Sequence, residues 1–193
     1  MAIVQGRTIK VCIIDTGIDT DHPDLAGTFY GGRSFVSGNA SFEDDQGHGT
    51  HVAGTVSAVN NNGGITGVSQ AQLYIVKSLD RFGSGTSAWI ADGIDECTQQ
   101  GVDIISMSLG SPARFGPDPL IAQAVDRALD ADIHVFAAAG NDGGAVGYPA
   151  ALEGVEAVSA SNQSDGIANF SSRGSQIDFI APGVDIKLSL IHI

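Results

Sequence analysis

Short apolar runs alternate along this chain with segments whose apolar residues recur about every 3.6 positions. This alternation is typical of βαβ units, in which helices connect parallel strands and cover the sheet that the strands form. It predicts an α/β fold of three layers, with a mostly parallel sheet and helices on both of its faces. The predicted strands are residues 8–14, 72–79, 102–106, 133–138 and 155–159.

Three segments between these runs carry the helical period. One helix is predicted over residues 86–100, a second has its apolar face between Leu120 and Leu129, and a third begins near His48. The polar run at 60–64 ends the third helix. Ligands of open parallel sheets bind at the carboxyl ends of the strands, where this chain also concentrates glycines. We therefore expect the functional site at that edge.

The composition excludes several classes of protein. A length of 193 residues fits one domain, and 42% hydrophobic against 16% charged residues supports a packed core. The 22 acidic residues outnumber the 9 basic ones, and the net charge of -13 repels nucleic acids and anionic membranes. No apolar run is long enough to span a bilayer, and residues 1–5 have no signal-peptide pattern. We therefore predict neither a nucleic-acid partner nor a membrane partner.

The two cysteines, Cys12 and Cys97, are too few for a disulfide framework or for a zinc site of the CxxC type. Both lie in apolar patterns, which favours two buried thiols. A disulfide between them stays open as an alternative.

Two strings carry the first chemical signals. Asp15 opens the string DTGID directly after an apolar strand, where a carboxylate can be held rigidly beside a cleft. His48 lies in the string GHGTHVAGT, at the start of a helix and between small residues that let a substrate approach. Each residue alone has an ordinary alternative, since an Asp after a strand often forms a turn, and His48 with His51 could ligate a metal.

Together the two strings are far more specific, because His48 follows Asp15 by 33 positions and further strings follow in order. These strings are SMSLG from Ser106, AAGN from Ala138, GYPA from Gly147, NFSS from Asn169 and APG from Ala181. On these strings the chain resembles the subtilisin-like serine proteases, the subtilases of peptidase family S8, over roughly residues 7–186.

The resemblance implies a serine endopeptidase that acts on proteins or peptides, with roles for three matching residues. Asp15 would orient His48 and stabilise its imidazolium. His48 would be the general base that takes a serine proton and the acid that returns it to the leaving amine. Asn141 would donate a hydrogen bond to the oxyanion that forms on the scissile carbonyl. The resemblance further implies a secreted, monomeric protein.

The same resemblance implies how substrate would bind. An extended peptide would add as a strand between two exposed edges, so that main-chain hydrogen bonds supply affinity with little sequence preference. Gly147, at the base of a pocket, would leave room for a large apolar substrate side chain. The substrate-binding residues expected on this basis are Gly83, Ser84, Gly85, Ser108, Leu109, Gly110, Ala138, Gly140 and Gly147.

A structural calcium ion is the cofactor that the resemblance implies. Asp24 and Asn61 would supply side-chain oxygens, which suit calcium. Main-chain carbonyls would come from Val59, Gly63 and Ile65. The family draws a further ligand from an N-terminal segment that this sequence does not match, so the site is expected to be incomplete. The alternative is an ordinary Asn-Gly turn after a helix.

The resemblance stops before the end of the chain. The family's nucleophilic serine lies in a Gly-Thr-Ser motif some distance after the string APG, and this sequence has no such motif. We therefore interpret residues 1–186 as a partial catalytic domain whose C-terminal part is missing, and residues 187–193 as a tail that does not match the family. Ser171, Ser172 and Ser189 lack the neighbours of that nucleophile, so the chain as given is expected to be inactive.

Two other functions stay open. A catalytically dead relative would bind peptides or a partner through the same cleft, although such a module needs neither a base nor an oxyanion donor. A metal hydrolase would draw its ligands from Asp15, Asp19, His22, His48 and His51.

Overall fold

A parallel sheet forms the centre of the fold in the computed structural model, which describes residues 8–61 and 64–186. The strands are β1 Lys10–Asp15, β2 Phe29–Ser34, β3 Gln72–Lys77, β4 Ile104–Met107, β5 His134–Ala138, β6 Glu156–Ser161 and β7 Ile177–Pro182. They lie in the order β2-β3-β1-β4-β5-β6-β7, and each neighbouring pair is parallel. The strand order reverses beside β1, so the loops after β1 and β4 diverge at the carboxyl edge and leave a crevice.

Helices cover both faces of the sheet. They are α1 His48–Ser57, α2 Ser87–Gln99 and α3 Pro119–Asp130. The core under α1 contains Val11 and Ile13 of β1, whereas the core under α2 and α3 contains Cys12 and Ile14. Because β1 is buried on both faces, its sequence is a continuous apolar run. The predicted three-layer α/β fold is confirmed.

Hydrogen bonds from local side chains fix the starts of α2 and α3. The Thr86 hydroxyl accepts the backbone N–H of Trp89 at 3.2 Å and begins α2. The Asp118 carboxylate accepts the N–H of Leu120 at 2.9 Å, just before a helix whose first residue is proline. The Ser87 hydroxyl donates to Asp118 at 2.6 Å and so joins the two helix starts.

The predicted elements are all present, with ends shifted by a few residues, but two strands were not predicted. β2 contains adjacent glycines and an arginine in the string FYGGRS, and β7 is largely exposed and ends in a proline. Neither has the apolar alternation that marks a half-buried strand. Within the described part of the chain, no helix is both long enough and apolar enough to cross a membrane.

A groove opens on the α1 side of the sheet, beyond the strands on which that helix packs. α1 lies against β1 and β3. The groove has a volume of about 720 Å³, and its lining includes Ile104 of β4, Phe136 of β5 and Val158 of β6, with Val56 of α1 at its side. We call it the β4–β6 groove. An apolar sheet face of this size is typical of a surface that another segment covers.

The two cysteines form a disulfide, so the prediction of two buried thiols was wrong. Cys12 lies on β1 and Cys97 on α2, with a separation of 5.8 Å between their Cα atoms. α2 packs on the face of β1 that carries Cys12, and this contact joins positions 85 residues apart in sequence. The local sequence patterns around Cys12 and Cys97 do not indicate that the two residues contact each other.

Loss of this disulfide should lower stability markedly. Cys12→Ala with Cys97→Ala opens a covalent loop of more than 80 residues, for which unfolded-state entropy predicts a loss of roughly 4–5 kcal/mol. Urea unfolding with and without reductant measures this loss. Reductant should destabilise the native chain and leave the double variant unchanged, and equal stability of the two proteins would contradict the prediction.

Candidate active site

A histidine and a buried aspartate meet at the carboxyl edge of the sheet. Asp15 is the last residue of β1 and its side chain is 1% exposed, while His48 is the first residue of α1 and is 46% exposed. The Nδ1 atom of His48 lies 2.8 Å from Oδ1 and 2.9 Å from Oδ2 of Asp15. His48 also lines a cleft. The structure therefore brings together the two residues that the sequence singles out as carboxylate and base.

Two glycines allow this approach of β1 and α1. A Cβ atom on Gly49 would lie 2.1 Å from the carbonyl oxygen of Gly17, so only glycine lets the first turn of α1 reach the loop after Asp15. Gly17 itself has a φ of 115°, and a Cβ there would meet the carbonyl oxygen of Phe42 at 2.4 Å. The glycines of the strings around Asp15 and His48 thus keep the aspartate and the histidine within hydrogen-bond distance.

Thr16 fixes the orientation of the Asp15 side chain. Its backbone N–H donates to Asp15 Oδ1 at 2.7 Å. Its hydroxyl accepts the N–H of Gly49 at 2.8 Å and donates to Asp44 at 2.9 Å. One residue therefore ties the end of β1 to the start of α1.

Asp44 is a site residue that the sequence analysis missed. Its carboxylate accepts the N–H of Gly47 at 2.9 Å and both the N–H and the hydroxyl of Thr50, at 2.9 and 2.6 Å. Although burial favours the neutral form, these donors and the N–H of Gln46 hold the pKa of Asp44 below its usual range. The sequence signal that could have identified Asp44 is an acidic residue a few positions before the start of a helix.

The pKa of His48 is raised above the ordinary value of 6.5, chiefly by its hydrogen bond to Asp15. Burial opposes this shift, and the negative charges of Asp15 and Asp44 add to it. His51 lies one turn along α1, and burial together with repulsion from His48 lowers its pKa. The two histidines therefore have different environments, and only His48 contacts a carboxylate through its ring.

A cleft of about 860 Å³ extends from His48 between two chain segments. All six residues predicted at the two substrate edges line it: Gly83, Ser84, Gly85, Ser108, Leu109 and Gly110. The far part of the cleft also contains aromatic and aliphatic side chains that were not predicted, including Phe82, Phe115 and Ile121. Ile121 belongs to the apolar face of α3, and neither such a face nor an aromatic residue outside the main helices and strands gives a sequence signal for a position in the cleft.

A second cavity, of about 290 Å³, adjoins the first at Ser108 and contains Asn141. Asn141 follows the end of β5, and the predicted residues Ala138 and Gly140 line the same cavity. Gly147 lines neither of the two cavities. A Cβ on Gly147 would lie 2.5 Å from the carbonyl oxygen of Ser111, so the backbone of Ser111 requires glycine there.

The predicted calcium ligands lie together only in part. Asp24 is buried, and its carboxylate accepts the side-chain N–H of Asn61 at 2.8 Å and the backbone N–H of Ile65 at 3.2 Å. The N–H of Val59 donates to the carbonyl of Asp24 at 2.8 Å. Gly63 lies outside the described residues, as does the predicted tail at 187–193.

The ligand set of a metal hydrolase is not assembled. Across residues 8–61 and 64–186, no group of three or more His, Cys, Asp and Glu side chains is placed to hold one ion. Asp19 accepts the N–H of Asp21 at 3.0 Å, and the His22 ring accepts the N–H of Asp24 at 3.1 Å. Of the five residues considered for that function, Asp15 and His48 contact each other through their side chains.

Comparisons with known proteins agree with these features. The profile of the Subtilase family matches residues 6–192. Subtilisin amylosacchariticus from Bacillus subtilis subsp. amylosacchariticus is 46% identical over 192 residues, which cover 96% of this chain and 49% of that protein. Subtilisin from Bacillus pumilus is 44% identical over 192 residues, 96% of this chain and 68% of the relative. This chain therefore spans about half the length of the first of these relatives and two thirds of the second.

Asp15→Asn should lower the pKa of His48, because an uncharged amide stabilises the imidazolium less than a carboxylate does. NMR titration of the His48 ring protons measures this pKa. The raised pKa also affects stability. Because the pKa of His48 is higher in the folded state, its contribution to the free energy of unfolding is full below about pH 6.5 and is lost as the pH rises through the folded-state pKa. That contribution should shrink in the variant. Asp126→Asn, on the exposed face of α3, is the control, and an unchanged His48 pKa in Asp15→Asn would refute the assignment.

Proposed function

We propose that this chain, which belongs to the subtilase family, carries the general base, the orienting carboxylate and an oxyanion donor of a serine endopeptidase. The observation that carries the proposal is the pairing of His48 with buried Asp15 at the mouth of a long open cleft. A buried carboxylate, a half-exposed imidazole and an adjacent groove are the arrangement that acyl transfer by a serine requires.

Each group has a defined step in the proposed reaction. The free Nε2 of His48 takes the proton of the serine hydroxyl as the hydroxyl oxygen attacks the scissile carbonyl. Asp15 holds the Nδ1–H side of the ring, which fixes the tautomer and stabilises the imidazolium. The amide of Asn141 donates a hydrogen bond to the carbonyl oxygen as it becomes negative. His48 then returns the proton to the leaving amine.

The cleft favours an extended polypeptide as the substrate. The segments 83–85 and 108–110 flank it and carry glycines and serines, whose small side chains leave the backbone accessible. A peptide laid between them can pair with both backbones as an added strand. Main-chain recognition of this kind accommodates many sequences, so we propose protein or peptide substrates in general.

We propose that the nucleophilic serine comes from sequence outside these 193 residues. Ser171 and Ser172 are both buried, and the hydroxyl of Ser171 accepts the N–H of Ala160 at 2.9 Å. Their neighbours in sequence also differ from those of the family's nucleophile. The apolar lining of the β4–β6 groove supports a further segment that packs on the sheet beside α1. The greater length of the relatives is consistent with such a segment.

We also propose that the protein works outside the cell. The Cys12–Cys97 disulfide supports this, because disulfides persist in oxidising compartments and are rare in the cytosol. Immunodetection of the native protein in culture medium and in cell fractions tests this location.

A structural calcium ion at Asp24 is a further proposal. The buried carboxylate and the adjacent Asn61 fit calcium, since the side-chain amide can turn its oxygen toward an ion. The backbone N–H of Ile65 donates to this carboxylate, so the fit is incomplete in the described arrangement. When bound, the ion would link the turn at 23–25 to the chain after α1 and would take no part in the reaction.

The 193-residue chain should not hydrolyse peptides above background, because no acyl-enzyme can form without the nucleophile. Replacing residues 187–193 with the segment of the Bacillus pumilus subtilisin that follows its counterpart of Ile186 should give hydrolysis and labelling by a serine-directed phosphonate. A fluorogenic peptide assay and mass spectrometry measure both.

Two variants and the unextended chain serve as controls for that fusion. His48→Ala in the fusion should abolish hydrolysis, whereas Ser171→Ala should retain it if the fusion folds. A folded fusion that binds peptides without cleaving them would favour a binding module instead. Hydrolysis by the unextended chain, mapped to Ser171 or Ser172, would overturn the proposed nucleophile.

Calcium should raise the thermal midpoint of the fusion. At a hundredfold excess over Kd, ligand linkage predicts about 2.7 kcal/mol of added stability. Asp24→Ala should remove the response, and Asp126→Asn should keep it. Thermal scans with calcium and with a chelator provide the measurement, and an undiminished response in Asp24→Ala would show that the ion binds elsewhere.

A further inference from the structure

Lys77 is a completely buried cation beside the candidate active site. It is the last residue of β3 and pairs in register with Asp15 of β1, and its side chain is 0% exposed. The Nζ atom donates to the carbonyl oxygen of Thr16 and to Oδ1 of Asp45, the latter at 2.5 Å. Asp45 is 42% exposed and lies three residues before His48. A single ammonium group thus contacts the loop after Asp15 and the loop before His48.

These contacts join the two halves of the Asp15–His48 pair. Thr16 donates its N–H to Asp15, while its carbonyl accepts from Lys77. On the other side, Asp45 belongs to the segment 44–47, which leads directly into α1 and His48. The ammonium therefore sits between the carbonyl side of one loop and a carboxylate of the other.

The burial of Lys77 requires an explanation, because removing an ammonium group from water is unfavourable unless polar groups surround it. An ion pair with a buried partner often contributes little to net stability compared with apolar side chains of similar size. What such a pair supplies is directional contact between the groups that it joins. At this place those groups are the two loops that hold the catalytic pair.

We propose that Lys77 and Asp45 are positioning residues, which draw the loop after Asp15 and the loop before His48 together and so hold the imidazole against its carboxylate. This inference rests on the proposed function, because a positioned base has a role only in that reaction. Neither residue is expected to touch substrate, since neither lines the cleft.

A charge-neutral double variant tests the proposal. Lys77→Met with Asp45→Asn removes one positive and one negative charge whose atoms lie 2.5 Å apart, so the field at His48 changes little. The charged groups that act on His48, namely Asp15, Asp44 and His51, stay in place. Loss of the bridge should loosen the imidazole, so the measured pKa of His48 should fall by about 0.5 or more toward its ordinary value. In the active fusion, kcat should fall about tenfold or more with little change in KM.

The matched control is Arg127→Met with Asp95→Asn. This pair is also an ion pair, at 2.8 Å, but it joins α3 to α2 away from His48. It should leave the His48 pKa and kcat unchanged. A folded Lys77→Met/Asp45→Asn protein with the same His48 pKa and kcat as the native chain would overturn the proposal.

If the double variant does not fold, Asp45→Asn alone decides the question, because it alters only a half-exposed side chain. Loss of the downfield His48 Nδ1–H proton resonance in the variant would support the bridge, since an altered charge alone leaves the hydrogen bond to Asp15 in place. A resonance that is retained, whatever the His48 pKa, would overturn it. These NMR measurements need no nucleophile, so their result stands even if the fusion fails to hydrolyse peptides and the proposed function is wrong.

Discussion

The burial of β1 on both faces is the constraint on which the rest of the structure depends. Its residues from Val11 to Asp15 are almost fully removed from solvent, and it alone pairs with both β3 and β4. The strand order reverses beside it, so its carboxyl end opens into the crevice between diverging loops. Asp15 occupies that end, Cys12 is tied to α2, and Lys77 lies opposite Asp15 on β3. The position of β1 therefore determines where the disulfide, the Asp15 carboxylate and the buried Lys77 lie.

Patterns with a clear period could be predicted from the sequence, because they record which face of an element is buried. The runs that became β1, β3 and β5 and the periodic helix α3 belong to this group. β2 and β7 could not be found in the same way, because one contains adjacent glycines and the other has little buried surface. Asp15 and His48 were identifiable from their surrounding strings, and the structure brings them to 2.8 Å.

Features made by distant contacts left no local trace. Lys77 ends the string QLYIVK, where a lysine is ordinarily a solvated strand end, yet here it is buried and its ammonium contacts Thr16 and Asp45. The disulfide has the same origin, since α2 must first pack on β1 before Cys12 and Cys97 can meet. In both cases the sequence supplies suitable residues, and the topology decides whether they become neighbours.

The placement of charges around α1 also bears on the chemistry of His48 as the proposed base. Asp15 and Asp44 both favour the imidazolium of His48, yet a general base acts best when its pKa lies close to the working pH. A third carboxylate, Asp45, stands three residues before His48 and would favour the imidazolium further if it were uncompensated. Lys77 places its positive charge directly on Asp45, so this carboxylate contributes a bridge with little net field at His48. The acidic chain can therefore concentrate carboxylates at the start of α1, where the helix N-terminus stabilises them. Asp15 holds the proposed base His48, whereas Lys77 offsets the charge of Asp45.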